Sequence, residues 1–166
     1  MNKITNKAIA IFNNENVKGT VTFYEIAHLE GLNVYFDLYD LPKNNVSAVH
    51  IHEHGDTSDG CISLGGHFNP TNKEHGSIFI DIYNSHAGDM INNLKSDYLG
   101  QFYYSYNDPR IKISGDISQS IVGRSVVIHE GVDDLGMGNN KESKITGNAG
   151  PCLLYTSPSP RDNSGS

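Results

Sequence analysis

Three histidines at alternating positions stand out in the stretch VHIHEHGD, residues 49–56. Side chains two residues apart on a strand point to the same side, so His50 and His52 would project together with Cα atoms roughly 6.5 Å apart. The apolar residue between them then faces a core. Two imidazoles at this spacing can hold one metal ion from one side, whereas a lone histidine is more often a hydrogen-bonded structural residue.

Further ligand-type side chains follow in a long segment and then in a later strand. The candidates besides His54 are His50, His52, His67, His75, His86, Asp89 and His129. Imidazole suits zinc and copper, and a carboxylate among histidines favours zinc, whose structural sites are commonly four-coordinate. These candidates are too many for one such ion, and two sites that share one ligand would use all of them. The HxH pair of binuclear zinc hydrolases is disfavoured, because that pattern continues with Asp-His and this chain continues with Glu53 and His54.

Alternating apolar and polar residues predict the strands that must position these ligands. The predicted strands cover residues 7–13, 19–26, 32–41, 48–54, 99–108, 110–116 and 120–130. Asn, Asp and Pro punctuate the connections, which favours antiparallel hairpins, and no segment has an apolar stripe at helical spacing. We therefore predict an all-β fold, a Greek-key β-barrel or sandwich of about eight antiparallel strands. Two long segments rich in Gly, Asn and Asp, residues 55–90 and 131–150, are predicted to be functional loops.

The composition indicates one globular domain. A chain of 166 residues with 37% hydrophobic and 19% charged residues is long enough for one core. A formal net charge of −7 argues against nucleic acid and anionic membranes as bulk partners, because both require a positive surface. The first residues lack the apolar run of a signal peptide and no stretch is long enough to span a membrane, so we expect a cytoplasmic location.

The last residues differ in composition from the rest. Residues 153–166, LLYTSPSPRDNSGS, are rich in Ser and Pro. We expect a disordered or non-native tail there, after a domain that spans residues 1–152. The string LLYTSPSPRD also resembles the translation of a sequencing adapter fused to a truncated gene.

The motifs, taken in order, resemble the copper/zinc superoxide dismutase family from about Lys7 to Gly150. They are AVHIHEHGD, DGCISLGGHFNP, KEHGS, HAGDM, SGD followed by IVGRSVVIHEGVDDLG, and TGNAG. The family is itself a known β-sandwich. The resemblance implies an enzyme that converts superoxide to oxygen and hydrogen peroxide by copper redox cycling. A catalytically weak copper- and zinc-binding module with the same fold is the alternative.

Carried over residue by residue, the resemblance implies two metal sites. The copper ligands would be His50, His52, His67 and His129, and the zinc ligands His67, His75, His86 and Asp89. His67 would bridge the metals and act as the catalytic proton carrier. Asp133 would hydrogen-bond one copper-binding and one zinc-binding histidine and so tie the two sites together. We expect His54 at the surface or in an interface, and His28 in a structural or surface role.

The chain departs from the family immediately after TGNAG. Cys152 stands where the family has the arginine that docks the anion beside copper, so we expect a slower enzyme. Cys61 matches its family position for a disulfide, but Cys152 comes too early in the chain, which leaves their pairing open. The family's last strand is also missing, so a sheet edge would be open or partly covered by residues 152–155.

The remaining cations and the candidate partners can be considered in the light of the same resemblance. Arg110 and Arg124 lie in predicted strands and Arg161 in the tail, so none is expected to replace the missing arginine. Lys141 and Lys144, in the second loop, are candidates for attracting superoxide, or else ordinary solvated lysines. The resemblance also implies a copper chaperone and a homodimer as candidate partners.

Overall fold

The computed structural model describes residues 3–161, which form nine strands in two antiparallel sheets. The strands are β1 (Ile4–Asn13), β2 (Lys18–Ile26), β3 (Leu32–Tyr39), β4 (Val46–His52), β5 (Asn93–Lys95), β6 (Phe102–Asp108), β7 (Ser125–His129), β8 (Cys152–Thr156) and β9 (Ser159–Arg161). One sheet has the order β6-β3-β2-β1-β9 and the other β5-β4-β7-β8. The chain leaves the first sheet after β3 and returns in β6 to pair with β3, as in a Greek key. The predicted all-β antiparallel fold is confirmed.

Two four-residue helices lie in the long loops, α1 (Ile78–Asp81) in the first and α2 (Ser143–Thr146) in the second. Ser77 caps α1 by accepting a hydrogen bond from the N–H of Phe79 at 3.2 Å. Gly147 ends α2 in the left-handed conformation, with φ 67°. A single helical turn has no repeat for a sequence pattern to reveal, so neither helix was predictable. Within residues 3–161, no helix has the length and apolar character needed to cross a membrane.

Sequence alternation builds the core between the sheets. On β3, Leu32, Val34, Phe36 and Leu38 are buried, and the residues between and after them are exposed or half-buried. Matching apolar residues on the other strands complete this core. The strands are therefore held mainly by burial of apolar surface.

Strand β4 is buried on both faces. Val49 and Ile51 belong to the core and His50 faces the opposite side, yet all three are 0% exposed. His67 of the first long loop covers His50, with ring centroids 3.9 Å apart. Asp133 of the second long loop contacts the same ring at 2.7 Å. The two loops thus enclose a second, polar interior outside the main core.

The prediction of a strand over residues 110–116 is wrong, and the strand predicted over residues 120–130 is shorter, since β7 begins at Ser125. The connection between β6 and β7 makes one isolated bridge, from Lys112 to Ser120. A single bridge cannot extend into a ladder, so this segment remains a connection.

Apolar residues in that connection explain the error. Ile111 and Ile121 are both 0% exposed, because they anchor the connection in the core. Their alternation with polar neighbours looks like a strand although no ladder partner is present in the described chain. Arg110 and Arg124 consequently lie outside the strands in which they were predicted.

The structure also differs from the expectation of a disordered tail. β8 pairs with β7 and β9 pairs with β1, so each covers one edge of a sheet. Leu153 and Leu154 pack against the core, which gives the segment an apolar reason to order. The structured chain therefore continues past residue 152. Residues 162–166, the rest of the expected tail, lie outside the described residues.

A disulfide joins Cys61 to Cys152. Their Cα atoms are 6.2 Å apart, a distance that suits such a bond. A register shift between Ile128 and His129 places Cys152 opposite His129. This shift accommodates the early position of Cys152, and the pairing that the sequence left open is present. The bond fastens the first long loop to β8.

Replacement of a core phenylalanine tests the burial. Phe23 is 0% exposed, so Phe23→Ala should lower the free energy of unfolding by about 3–5 kcal/mol through lost burial and a cavity. Phe79 on α1 is 66% exposed, and the control Phe79→Ala should change it by less than about 0.5 kcal/mol. Chemical denaturation measures both variants. Equal losses at the two positions would contradict this placement of the core.

Candidate metal centre

The fold brings the predicted ligand residues into two adjoining groups. The first group is His50, His52, His67 and His129, and the second is His67, His75, His86 and Asp89. Within each group the candidate ligand atoms lie within 4.8 Å of one another, and every member is buried. His67 belongs to both groups.

Backbone contacts place His67 beside the end of β4. The N–H of Phe68 donates to the carbonyl oxygen of Ile51 at 2.8 Å, which extends the pairing of β4 into the loop. The His67 ring thereby reaches the outer face of β4, next to His50. Gly88 packs against this junction, and a Cβ there would collide with the Ile51 carbonyl oxygen. Only glycine permits this close approach.

Backbone carbonyls determine which ring nitrogen of His52 and His129 carries a proton. His52 Nδ1 donates to the Gly65 oxygen at 2.8 Å, and His129 Nδ1 donates to the Gly150 oxygen at 3.0 Å. In the neutral form, each ring then has a lone pair on Nε2. The two Nε2 atoms lie 3.3 Å apart. Lone pairs at that distance repel each other unless a cation lies beside both.

Burial keeps the rings of the first group neutral. It lowers the pKa of His52 to about 3, with a further contribution from the nearby His67. It likewise lowers the pKa of His129 to about 4, and the pKa of His50 lies well below its ordinary value for the same reason. Neutral imidazole is the form that binds a metal.

Two buried nitrogens of the first group lack a hydrogen-bond partner within the described residues. They are His50 Nδ1 and His67 Nε2. His50 Nε2 donates to Asp133 Oδ2 at 2.7 Å, so the lone pair of this ring is on Nδ1. Orphaned buried polar atoms are rare and require an explanation. A copper ion would satisfy both atoms and also remove the repulsion between His52 and His129, so the residues fit that metal.

In the second group, three imidazole nitrogens surround one carboxylate oxygen. Asp89 Oδ1 lies 2.8–3.1 Å from the Nδ1 atoms of His67, His75 and His86. His86 Nε2 donates to the Lys73 carbonyl oxygen at 3.0 Å, so His86 Nδ1 turns a lone pair toward an anion. A tetrahedral zinc site with Zn–N distances of about 2.0–2.1 Å has ligand-to-ligand edges of roughly 3.3 Å. The three oxygen-to-nitrogen distances are slightly shorter than such edges, and a set of three imidazoles and one carboxylate suits zinc.

The charges of the second group are coupled. Burial opposes ionisation of Asp89, but its contacts with the rings of His67, His75 and His86 outweigh burial and hold its pKa well below the usual range. Burial also lowers the pKa of His75, but hydrogen bonds to Asp133 and Asp89 outweigh it and raise that pKa to about 9. A zinc ion would displace the extra proton of His75, because ligand histidines bind as neutral rings.

Asp133 connects the two groups. Its Oδ2 accepts from His50 Nε2 at 2.7 Å, and its Oδ1 accepts from His75 Nε2 at 2.8 Å. The Leu135 N–H adds a hydrogen bond of 2.7 Å to Oδ1, and Asn92 Nδ2 adds one of 3.0 Å to Oδ2. Sequence reasoning missed Asn92, because no local pattern links an asparagine to a carboxylate forty-one positions away.

The remaining histidines are not part of either group. The His54 side chain is 57% exposed, and its Nε2 lies 3.9 Å from Glu53. Although His54 continues the alternation of His50 and His52, β4 ends at His52, so the strand geometry no longer applies to it. His28 lies in a turn with φ 68°.

A pocket of about 470 Å³ opens onto the first group. Its lining includes His52, His67, His129, the Cys61–Cys152 disulfide, and Glu142 and Thr146 of the second loop. Within residues 3–161, this lining contains no arginine. A neighbouring pocket of about 390 Å³ contains Lys141 and Lys144, and the Nζ of Lys144 donates to the Gly136 oxygen at 2.7 Å.

Comparison with known proteins identifies a family that matches most of this chain. The family described as copper/zinc superoxide dismutase (SODC) matches residues 17–156. A Cu-Zn superoxide dismutase of Talaromyces marneffei is 40% identical over 146 residues, covering 87% of this chain and 92% of that protein. The Cu-Zn superoxide dismutase of Saccharomyces cerevisiae is 42% identical over 146 residues, with the same coverage of 87% and 92%.

A solved structure agrees with the fold. The crystal structure of the clock protein EA4 matches with a TM-score of 0.82 and 36% identity, covering 92% of each chain. The chain belongs to the copper/zinc superoxide dismutase family. The resemblance inferred from the sequence motifs is thus confirmed.

A glycine substitution tests how tightly the centre is packed. Gly147 has φ +67°, and a Cβ there would collide with Asp133 Oδ1 and His75 Nε2. Gly147→Ala should weaken zinc binding by roughly 10–100-fold, as expected when a group that orients ligands is displaced. Competition with a chelator measures the affinity.

Gly115→Ala is the matched control. Gly115 has φ +85°, but nothing lies within 4 Å of the added Cβ, so this variant carries backbone strain without the collision. Zinc binding should be unchanged. A similar loss in both variants would assign the effect of Gly147→Ala to backbone strain and contradict the packing argument.

Proposed function

We propose that this chain, a superoxide dismutase by family, binds one copper ion and one zinc ion that share His67. The copper ligands are His50, His52, His67 and His129, and the zinc ligands are His67, His75, His86 and Asp89. Asp133 orients one ligand of each metal. Copper and zinc are the cofactors of the family to which the chain belongs.

One observation carries this division of ligands. Every ring except His67 already donates from its outer nitrogen to a carbonyl or carboxylate oxygen. The other nitrogen of each of those rings faces the remaining members of its group, so these nitrogens gather at two positions, one in each group. His67 alone turns one nitrogen toward each group, with Nδ1 at Asp89 and Nε2 orphaned on the other side. That is the arrangement a bridging imidazole needs.

The chemistry that copper supplies when bound is one-electron transfer, in which one superoxide is oxidised to oxygen and a second is reduced to hydrogen peroxide. The protein must supply protons to the reduced oxygen. His67 Nε2 can bind either copper or a proton, so in its protonated form it could release that proton toward the pocket, while Nδ1 stays on the zinc side. The second proton can come from water, because the pocket is open to solvent.

We also propose that turnover is slower than the fold would otherwise permit. Cys152 is held in the disulfide on the pocket wall, and a neutral group there cannot fix an anion as a guanidinium would. The alternative, a metal-binding module with little turnover, is not favoured by the family match. A measured rate separates the two.

Lys141 and Lys144 are the proposed source of attraction for superoxide. They lie in the second long loop and line a pocket together with His67, where a positive potential would raise the local concentration of an anion. The net charge of −7 makes such a local field necessary.

A homodimer, a copper chaperone and a cytoplasmic location stay predictions. His54 is exposed two residues beyond the end of β4, where a dimer contact could reach it. Sedimentation of the metal-loaded chain at several concentrations would test the dimer. Concentration-independent sedimentation as a single chain would contradict it.

The dismutation rate is the first test of the function. With one copper and one zinc confirmed per chain, the protein should accelerate dismutation far above the spontaneous rate. His129→Ala should remove most of this acceleration, because it deletes a copper ligand. Pulse radiolysis measures the rates. His54→Ala, which changes an exposed histidine outside both groups, should retain the full rate. Full metal occupancy without acceleration would support the metal-binding module instead.

Ionic strength tests the role of the lysines. Lys141→Gln should lower the second-order rate constant several-fold in dilute buffer, and the difference should vanish in about 1 M salt, where screening acts within about 3 Å. Lys43→Gln is the control, since Lys43 precedes β4 at the end away from His52. Equal effects of the two variants at every salt concentration would contradict local steering.

A further inference from the structure

We propose that Asn92 and Asn93 form a clamp that positions Asp133, and through it the ligands of both metals. This inference rests on the ligand assignment proposed above. The asparagine clamp, meaning these two residues, makes three hydrogen bonds to one aspartate from a segment that also carries Asp89.

Asn92 holds the carboxylate of Asp133. Its Nδ2 donates to Asp133 Oδ2 at 3.0 Å and to the carbonyl oxygen of Gly76 at 2.7 Å, next to His75. The side chain is 0% exposed, and its Oδ1 is buried without a partner in the described chain. A flipped amide would turn Oδ1 toward two acceptors, so the network fixes this orientation. The amide is thus used for its donors alone.

Asn93 holds the backbone of Asp133. Its Nδ2 donates to the Asp133 carbonyl oxygen at 2.9 Å, and the Asp133 N–H donates back to Asn93 Oδ1 at 2.9 Å. This reciprocal pair restrains the peptide groups on both sides of the aspartate. Asn93 itself begins β5 and pairs with Ala48 on β4, the strand that carries His50. The aspartate is therefore fastened to the sheet that bears His50, His52 and His129.

The segment between Asp89 and Asn93 connects the two metal groups. The N–H of Asn92 donates to the Asp89 carbonyl oxygen at 2.8 Å, and the Asn92 carbonyl oxygen accepts from Val49 on β4 at 2.8 Å. A displacement of Asp89 is thus passed to Asp133, which touches His50. We infer that the clamp couples occupancy of the zinc position to the geometry of the copper position.

Backbone conformation dictates which variants are informative. Asn92 has φ 60°, a left-handed conformation that glycine tolerates and alanine does not. Asn92→Gly therefore removes the amide without adding strain. Asn93→Asp keeps the size and the acceptor but places a carboxylate oxygen against the Asp133 carbonyl oxygen. Asn107→Ala is the control, because Asn107 bonds Glu30 and Asn33 far along the other sheet.

The experiment measures zinc affinity and two spectra in the full chain. Asn92→Gly and Asn93→Asp should each weaken zinc binding by about 10–100-fold in competition with a chelator. Cobalt in the zinc position should give an altered visible spectrum. The change that zinc causes in the Cu²⁺ electron paramagnetic resonance spectrum should become smaller. Asn107→Ala should match the unaltered chain in all three measurements.

Thermal unfolding of the metal-free variants separates positioning from a purely structural role. Lower stability of the metal-free chain together with unaltered affinity and spectra would overturn the clamp. If the unaltered chain binds zinc and copper but the variants show the same affinity and spectra, the clamp is overturned and the proposed function stands. A parent chain that binds neither metal would overturn the ligand assignment, and the clamp with it.

Discussion

Two buried carboxylates impose the electrostatic constraint on which the metal centre depends. Asp89 is 0% and Asp133 is 2% exposed, and an ion left unpaired in an interior costs several kcal/mol. Asp133 meets this requirement with four hydrogen-bond donors. Asp89 Oδ2 accepts from the backbone N–H groups of Gly76 and His86, whereas its Oδ1 faces three ring nitrogens, of which His86 Nδ1 presents a lone pair. The extra proton of His75 places positive charge beside this oxygen in the metal-free chain. A zinc ion bound by the proposed ligands would take over that role.

The two interiors of the molecule are stabilised by different forces. The sheets enclose an apolar core, whereas the long loops are held by polar contacts, the disulfide and buried ion pairs. Arg110 illustrates the second kind, since it pairs with Asp108 and also donates to Ser85 and to the carbonyl oxygen of His86. Because these contacts depend on charge and geometry, we expect order in the loops to depend on the metals more strongly than order in the sheets does.

Sequence reasoning captured those features that follow from residue type and local spacing. The alternation of His50 and His52 places both on one face of β4, and the long loop supplies further ligand-type residues. Contacts made across long distances in the chain, such as those of Asn92 and Asn93 with Asp133, have no local signature. The disulfide likewise depends on a register shift that only the folded chain reveals.

Errors in the strand prediction have a common physical origin. Alternation of apolar residues indicates that every second side chain is buried. Such burial occurs in β-ladders and also in connections whose apolar side chains are anchored in the core. Ile111 and Ile121 illustrate the second case. In the tail, Ser and Pro content predicted disorder, but Leu153 and Leu154 pack on the core and order the segment. The composition of the tail does not show that two of its residues pack on the core, so it could not predict that the segment is ordered.

The distribution of cations around the pocket bears on how superoxide is held. Arg110 is committed to Asp108, and Arg124 donates to the carbonyl oxygens of Ser120 and Glu53. Lys144 is tied to a backbone oxygen. An ammonium group on a flexible stem attracts an anion but does not orient it as a planar guanidinium does. If the proposed function holds, charge would assist the approach of superoxide, whereas its alignment would depend on the pocket shape and on the proposed copper ligands.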